Sequence, residues 1–245
     1  MNLEKQSENF NIKGMNPTAR TVAAVCIFSI AMALLESAVV VYLRALYYPD
    51  QFTVAFKLVD EKIMRVELAR ELSTLIMLGS VGFLAGKDFK QRLGYFLMSF
   101  AVWDIFYYGW LKIFIDWPAT VFEWDILFLI PIIWLGPVLA PLLCSLTMIL
   151  LSRVLIVTNK SIKPIVWTLL FSGSALILYT YMEGYASFII TNGFLRGYGA
   201  ILQNENFLRL ASTYIPASFN WWIFCLGAAL LLAGIYFQEA KSGKA

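Results

Sequence analysis

Four acidic residues lie within, or at the edge of, long apolar stretches of this chain. A charged carboxylate is costly in hydrocarbon, so such residues usually face a cavity or an oppositely charged partner. Acids that converge in one cavity could load and release a proton or a cation. The candidate ion- or proton-binding residues are Glu36, Glu67, Glu71 and Asp104.

Helical spacing gives these acids nearby basic and phenolic side chains. Arg44 follows Glu36 by eight residues, and Lys112 follows Asp104 by eight, so each base lies two turns from its acid on nearly the same face. Residues three or four apart are also neighbours on a helix. The predicted charge and hydrogen-bond partners are Arg44, Arg70, Lys112, Tyr107 and Tyr108.

The same residues also fit a structural interpretation. Arg44 or Arg70 would neutralise Glu36, Lys112 would extend to the membrane surface, and the two tyrosines would hydrogen-bond to Asp104. Asp125, which begins an apolar run, is expected to be solvated.

Residue types that are missing narrow the chemistry. The chain has no histidine, so we expect no cofactor, and protein-ligated haem or zinc least of all. Its three cysteines are far apart in apolar runs and suggest neither a metal site nor a disulfide. There is no glycine-rich phosphate loop, HExxH or GxSxG motif, and we expect no nucleic-acid partner.

Composition places these residues in a membrane protein. Of 245 residues, 60% are hydrophobic and 14% are charged, and the mean hydropathy is +0.72. Ordinary soluble domains carry about 25% charged residues. The sequence therefore predicts an all-α, polytopic transmembrane bundle of six spans, each crossing roughly 30 Å of hydrocarbon. The apolar runs cover residues 21–43, a stretch ending at Gly86, 93–115, 126–151, 165–182 and 219–237.

Lysine and arginine decide the predicted orientation. Most of them fall on one side of the six-span arrangement, which the positive-inside rule makes cytoplasmic, so both termini are expected there and the location is the cell membrane. The predicted organisation is a cytoplasmic segment 1–20, a membrane domain 21–238 with outer loops at 45–65 and 183–218, and a cytoplasmic tail 239–245. The basic residues in question are Lys5, Lys13, Arg20, Lys87, Lys90, Arg92, Arg153, Lys160, Lys163, Lys241 and Lys244.

Several features concern packing and partners. Gly79, Gly82 and Gly86 are predicted to let another helix approach closely. The Gly82/Gly86 face and the recurrently apolar segment 183–218 are candidate contacts for other membrane subunits, beside the lipid bilayer itself. The segment 183–218 is also expected to be ordered and partly helical against the membrane.

Prolines and short sequence matches bear on the fourth span and on a possible repeat. Prolines at 131, 137 and 141 predict a kinked or interrupted fourth span. Short matches, such as residues 66–68 with 124–126, suggest a parallel repeat of helical hairpins.

Three functions remain open at this point. The first is proton- or cation-coupled transport through an outward-facing carboxylate cluster. The second is a non-catalytic subunit of a larger membrane complex. The third is an intramembrane enzyme that uses paired carboxylates as acid and base.

Overall fold

A computed structural model describes residues 16–47, 61–158, 161–194, 204–211, 214 and 216–239. The predicted segment 1–20, outer loop 45–65, outer segment 183–218 and tail 239–245 therefore lie partly outside the described residues. The elements in chain order are α1 (Pro17–Tyr47), α2 (Glu61–Ala85), α3 (Phe89–Ile115), β1 (Trp124–Phe128), β2 (Trp134–Pro137), α4 (Leu139–Val157), α5 (Pro164–Thr191), α6 (Glu205–Ala211) and α7 (Trp221–Glu239).

Five of these helices, α1, α2, α4, α5 and α7, are long and apolar enough to cross a membrane. The sixth long helix, α3, has 27 residues and is not in that group; it contains Asp104 and several basic and tyrosine residues. These properties are compatible with a multi-pass integral membrane protein.

The long helices alternate in direction along the chain. Asp88 caps α3 by accepting a hydrogen bond from the Gln91 backbone N–H at 2.9 Å, and this reverses the chain between α2 and α3. At the same end of the bundle, Lys90 Nζ donates to the Thr158 carbonyl at 3.0 Å. The ends of α2 and α4 and the start of α3 therefore lie together.

The described fold is mostly helical, as predicted, but it also contains a small two-stranded sheet that the all-α prediction lacked. The predicted fourth span 126–151 is interrupted, as its prolines indicated: its first part is an antiparallel hairpin of β1 and β2, and its second part belongs to α4. Aromatic and branched residues favour strands, and the prolines at 131 and 137 lack the N–H that a helix interior needs. Pro141 lies in the first turn of α4, where that N–H is not required.

The hairpin pairs most of its own backbone groups, as burial requires. Trp124 is opposite Pro137 and Asp125 is opposite Gly136 in the ladder. Beyond it, the Val138 N–H donates to the Glu123 carbonyl at 2.9 Å, and the Leu139 N–H donates to the Val121 carbonyl at 2.7 Å. The repeat hypothesis matched residues 66–68 to residues 124–126. The first segment lies in helix α2 and the second in strand β1, so the two segments differ in structure.

Helix α3 is the centre of one half of the bundle, because α1, α2 and α4 all pack on it. Between α1 and α3 the fully buried hydroxyls of Ser29 and Ser99 are 2.8 Å apart. Helices α5 and α7 approach closely at paired glycines: a Cβ atom at Gly173 would lie 2.7 Å from the Gly227 carbonyl oxygen. Small residues therefore set both contacts.

The described part of the segment 183–218 contains helical structure, because α5 continues to Thr191 instead of ending at 182 and α6 follows. Phe207 and Ala211 of α6 pack with Tyr185 and Ile189 of α5 and with Leu135 of β2. The end of α5 and helix α6 therefore pack against the hairpin.

Candidate functional site

A cavity of about 450 Å³ lies between α1, α2, α3, the hairpin, α4 and α5. All four acids singled out in the sequence line it, as do four of their five predicted partners. The charged and phenolic residues on its wall are Glu36, Arg44, Glu67, Arg70, Glu71, Asp104, Tyr107, Tyr108, Asp125 and Tyr181.

Arg70 joins α1 to α2 at this cavity. Its guanidinium forms an ion pair with Glu36 of α1 and a second one with Glu67, whose Oε2 is 2.7 Å from Arg70 Nη2. The Thr74 hydroxyl donates to Glu36 Oε2 at 3.1 Å. Residues 67, 70, 71 and 74 recur at helical spacing, so α2 presents one polar face to the cavity.

Arg44 forms an ion pair with Asp125 of the hairpin, whereas the structural interpretation had offered it to Glu36. Arg44 Nη2 is 3.9 Å from Asp125 Oδ1, and the guanidinium carbon lies 3.9 Å from the centre of the Trp117 ring, a cation–π contact. The Tyr108 hydroxyl donates to Asp125 Oδ2 at 3.1 Å. Asp125 therefore ties α1 and α3 to β1.

Asp125 is 3% exposed, so the expectation that it is solvated is wrong. It lies outside the spanning helices, and burial raises the pKa of this carboxyl to about 6. Arg44, the Tyr108 hydroxyl and the Ile126 backbone N–H act in the opposite direction by favouring the carboxylate.

Glu71 and Asp104 are held by neutral donors. The Leu129 backbone N–H donates to both oxygens of Glu71, at 3.0 and 3.1 Å, and the Ser145 hydroxyl donates to Asp104 Oδ2 at 2.7 Å. Among the described residues, no lysine or arginine forms an ion pair with either carboxylate. These two acids therefore differ from the arginine-paired ones.

Two predicted partnerships with Asp104 are wrong. Lys112 pairs with Asp116 at 2.7 Å and donates to the Pro118 carbonyl at 3.1 Å, so it is no partner of Asp104. Tyr108 donates to Asp125. Serine on a neighbouring helix takes the place that same-helix spacing had assigned to tyrosine.

The glycines of α2 divide into two environments. A Cβ atom at Gly82 would lie 2.7 Å from the Phe96 backbone nitrogen, and one at Gly86 would clash with the Arg92 backbone. Gly79 has open space beside it. The Gly82/Gly86 face, considered for a partner subunit, is covered by α3 of the same chain.

Sequence reasoning missed the groups that donate to the acids, namely Ser145, Thr74 and the Leu129 N–H. It also missed that Asp125 belongs to the site. The aromatic and branched residues of 124–128, followed by a proline, are a strand signal that could have placed Asp125 on a hairpin. Nothing comparable marks Ser145. The residues described by the structure contain no group of three or more Cys, Asp or Glu that could hold a metal ion.

The fold and cavity define a class: a helical protein, compatible with a multi-pass membrane location, with a carboxylate-lined cavity closed on one side by a β-hairpin. Comparisons with protein-family models, curated proteins and solved structures found no match. Function is therefore inferred from the site itself.

Proposed function

We propose that this chain is a six-span protein of the cell membrane that binds a proton or a cation at Asp104 and Glu71, in a cavity open to the outside, and that binding is coupled to transport. The observation that carries the proposal is that both carboxylates line the cavity without an ion-pair partner in the described part of the chain. A carboxylate shielded from bulk water in that state is neutralised most readily by a bound proton or cation.

The orientation within this proposal follows from charge. The six long helices alternate, and the ends of α2 and α4 with the start of α3 carry the basic residues that the positive-inside rule assigns to the cytoplasm. Arg44 and Asp125 lie near the opposite end, so the cavity would open outward. The parallel hairpin repeat is no part of the proposal.

The test is infrared spectroscopy of the purified protein in lipid nanodiscs. Between mildly acidic and mildly alkaline buffers, the C=O band of protonated carboxyl groups should lose intensity, and Asp104→Asn and Glu71→Gln should each remove part of that change. Asp116→Asn is the matched control, because Asp116 is exposed and outside the cavity. A spectrum that is the same in both cavity variants as in the unaltered protein would contradict the proposal.

A second candidate is a non-catalytic subunit of a membrane complex. It is favoured by the fact that the acids also connect elements: Glu36 joins α1 to α2, Glu71 joins α2 to the hairpin loop, and Asp104 joins α3 to α4. Purification in mild detergent separates the two. A stoichiometric partner polypeptide, together with unchanged carboxyl bands in the variants, would favour the subunit.

A further inference from the structure

A continuous row of aromatic rings lines the same cavity as the carboxylates. Six rings that line it are in contact one after another, with centroids 5.3 to 6.2 Å apart. They belong to four elements, α3, β1, β2 and α5. In order the rings are Tyr107, Trp103, Phe100, Phe128, Trp134 and Tyr181.

We infer that the ligand of this cavity is an organic cation, a protonated or quaternary amine with an apolar body. The inference rests on the proposed function and names its substrate class. Aromatic faces attract cations, and the best face is that of tryptophan. The described cavity wall also has five acids and two arginines, which favours a positively charged ligand.

The size and chemistry of the cavity disfavour a bare inorganic ion. Its volume of about 450 Å³ falls in the range of roughly 300–1,000 Å³ that small-molecule sites occupy. Inorganic cations need several oxygen ligands converging on one point. Much of this wall is instead aliphatic or aromatic, as at Val40, Leu43 and Met148.

Two tryptophans of the wall give an independent indication. The indole N–H groups of Trp103 and Trp134 are buried and have no hydrogen-bond partner among the described residues. Leaving a buried donor without a hydrogen bond costs about 1–3 kcal/mol, a cost that phenylalanine would avoid because its ring has no N–H. The stronger attraction of the indole face for a cation is a physical reason for tryptophan at both positions.

The experiment measures equilibrium binding to the full chain in nanodiscs, with empty nanodiscs subtracted. The probes are benzyltrimethylammonium, its uncharged carbon counterpart neopentylbenzene, and tetramethylammonium, which has the charge without the apolar body. We expect benzyltrimethylammonium to bind about tenfold or more tightly than either of the others.

The variants separate charge from ring chemistry. Asp104→Asn should weaken benzyltrimethylammonium binding by about tenfold or more and leave neopentylbenzene unchanged. Trp103→Phe should weaken binding of benzyltrimethylammonium and leave thermal stability equal or higher. If the indole had only a structural role, its loss would lower stability. Trp167→Phe is the matched control, since Trp167 contacts Phe89 and Phe171 and is not among the residues that line the cavity.

The two proposals can fail separately. If the carboxyl bands change with pH as expected but benzyltrimethylammonium binds no better than neopentylbenzene, the organic-cation inference is overturned and the proton site stands. If tetramethylammonium binds as tightly as benzyltrimethylammonium, the apolar body is irrelevant and the inference is also overturned. If neither cavity variant alters the bands, the proposed function itself fails.

Discussion

The cavity holds two kinds of carboxylate. Glu36, Glu67 and Asp125 form ion pairs with arginines, whereas Glu71 and Asp104 accept hydrogen bonds only from a backbone N–H and a serine hydroxyl among the described residues. All five line the same space. The difference separates three carboxylates that two arginines partly neutralise from two carboxylates that a ligand would neutralise.

The two kinds of carboxylate should respond differently to substitution. Removing one partner of a buried ion pair typically costs about 3–5 kcal/mol, because the other charge is left uncompensated. Replacing an unpaired buried carboxylate with its amide removes a charge and keeps an acceptor oxygen. The first change should therefore act on stability, and the second should act on ligand binding.

Arg70→Gln should have the largest effect on stability. It leaves Glu36 and Glu67 without their cation and beside each other, so we expect a loss near the upper end of about 3–5 kcal/mol. Denaturant unfolding in detergent measures it. The control is the same variant carrying Glu36→Gln and Glu67→Gln, which should recover most of the loss. An Arg70→Gln protein as stable as the original would remove the basis for calling these acids neutralised.

Arg44→Gln should cost less than Arg70→Gln, about 3 kcal/mol at neutral pH, because Asp125 is the one carboxylate that Arg44 pairs with in the described residues, whereas Arg70 pairs with two. The loss should depend on pH. The folded-state pKa of Asp125 is about 6, above the value of about 3.9 in an unfolded chain, so the folded state binds this proton more tightly. The associated stability is present at low pH and is lost as pH rises through about 6.

Arg44 favours the carboxylate, so its removal raises the Asp125 pKa further and enlarges the loss at neutral pH. The measurement is the melting temperature of both proteins at several pH values. The gap should narrow as pH falls. Adding Asp125→Asn to the variant should flatten this dependence, and a gap that is constant with pH would show that Asp125 is not the group responsible.

Glu71→Gln and Asp104→Asn should each change the free energy of unfolding by about 1 kcal/mol or less. The change should be neutral or stabilising, because the substitution removes a charge without an ion-pair partner. Each amide oxygen can still accept from Leu129 N–H or the Ser145 hydroxyl. Both variants should nevertheless lose proton or cation binding. A loss of several kcal/mol in both, as for Arg70→Gln, would erase the distinction between the two kinds of acid.

Glu239→Gln should have the smallest effect on stability, because it breaks an ion pair on the surface. Glu239 and Arg153 pair at 2.9 Å, but their side chains are 54% and 69% exposed. Exposed pairs contribute little, so we expect a change of about 0.5 kcal/mol or less that shrinks further in salt. A larger change would mean that exposure does not rank these ion pairs.

Local sequence spacing predicted part of the site. Arg70 lies three residues from Glu67 on the same helix, and the structure pairs them. Lys112, eight residues from Asp104, pairs instead with Asp116 and a loop carbonyl at the end of α3, in line with the alternative that it extends toward the surface. Spacing on a helix limits which residues can meet; exposure and the next element decide whether they do.

The sequence by itself predicted a membrane environment and identified four of the five acidic residues of the cavity. Apolar runs long enough to cross hydrocarbon require helices, because backbone groups must be paired within the segment. Carboxylates in such runs are rare, so Glu36 and Asp104 could be identified as site candidates without coordinates.

Tertiary structure decided which group holds each acid. Thr74 is 38 residues from Glu36, Leu129 is 58 from Glu71, and Ser145 is 41 from Asp104. No periodicity connects positions so far apart, and serine and threonine are too common in helices to stand out. The hairpin was only partly determined by sequence: its apolar residues suit a buried strand or a buried helix, its prolines favour the strand, and its contacts with α4 and α5 decide where it lies.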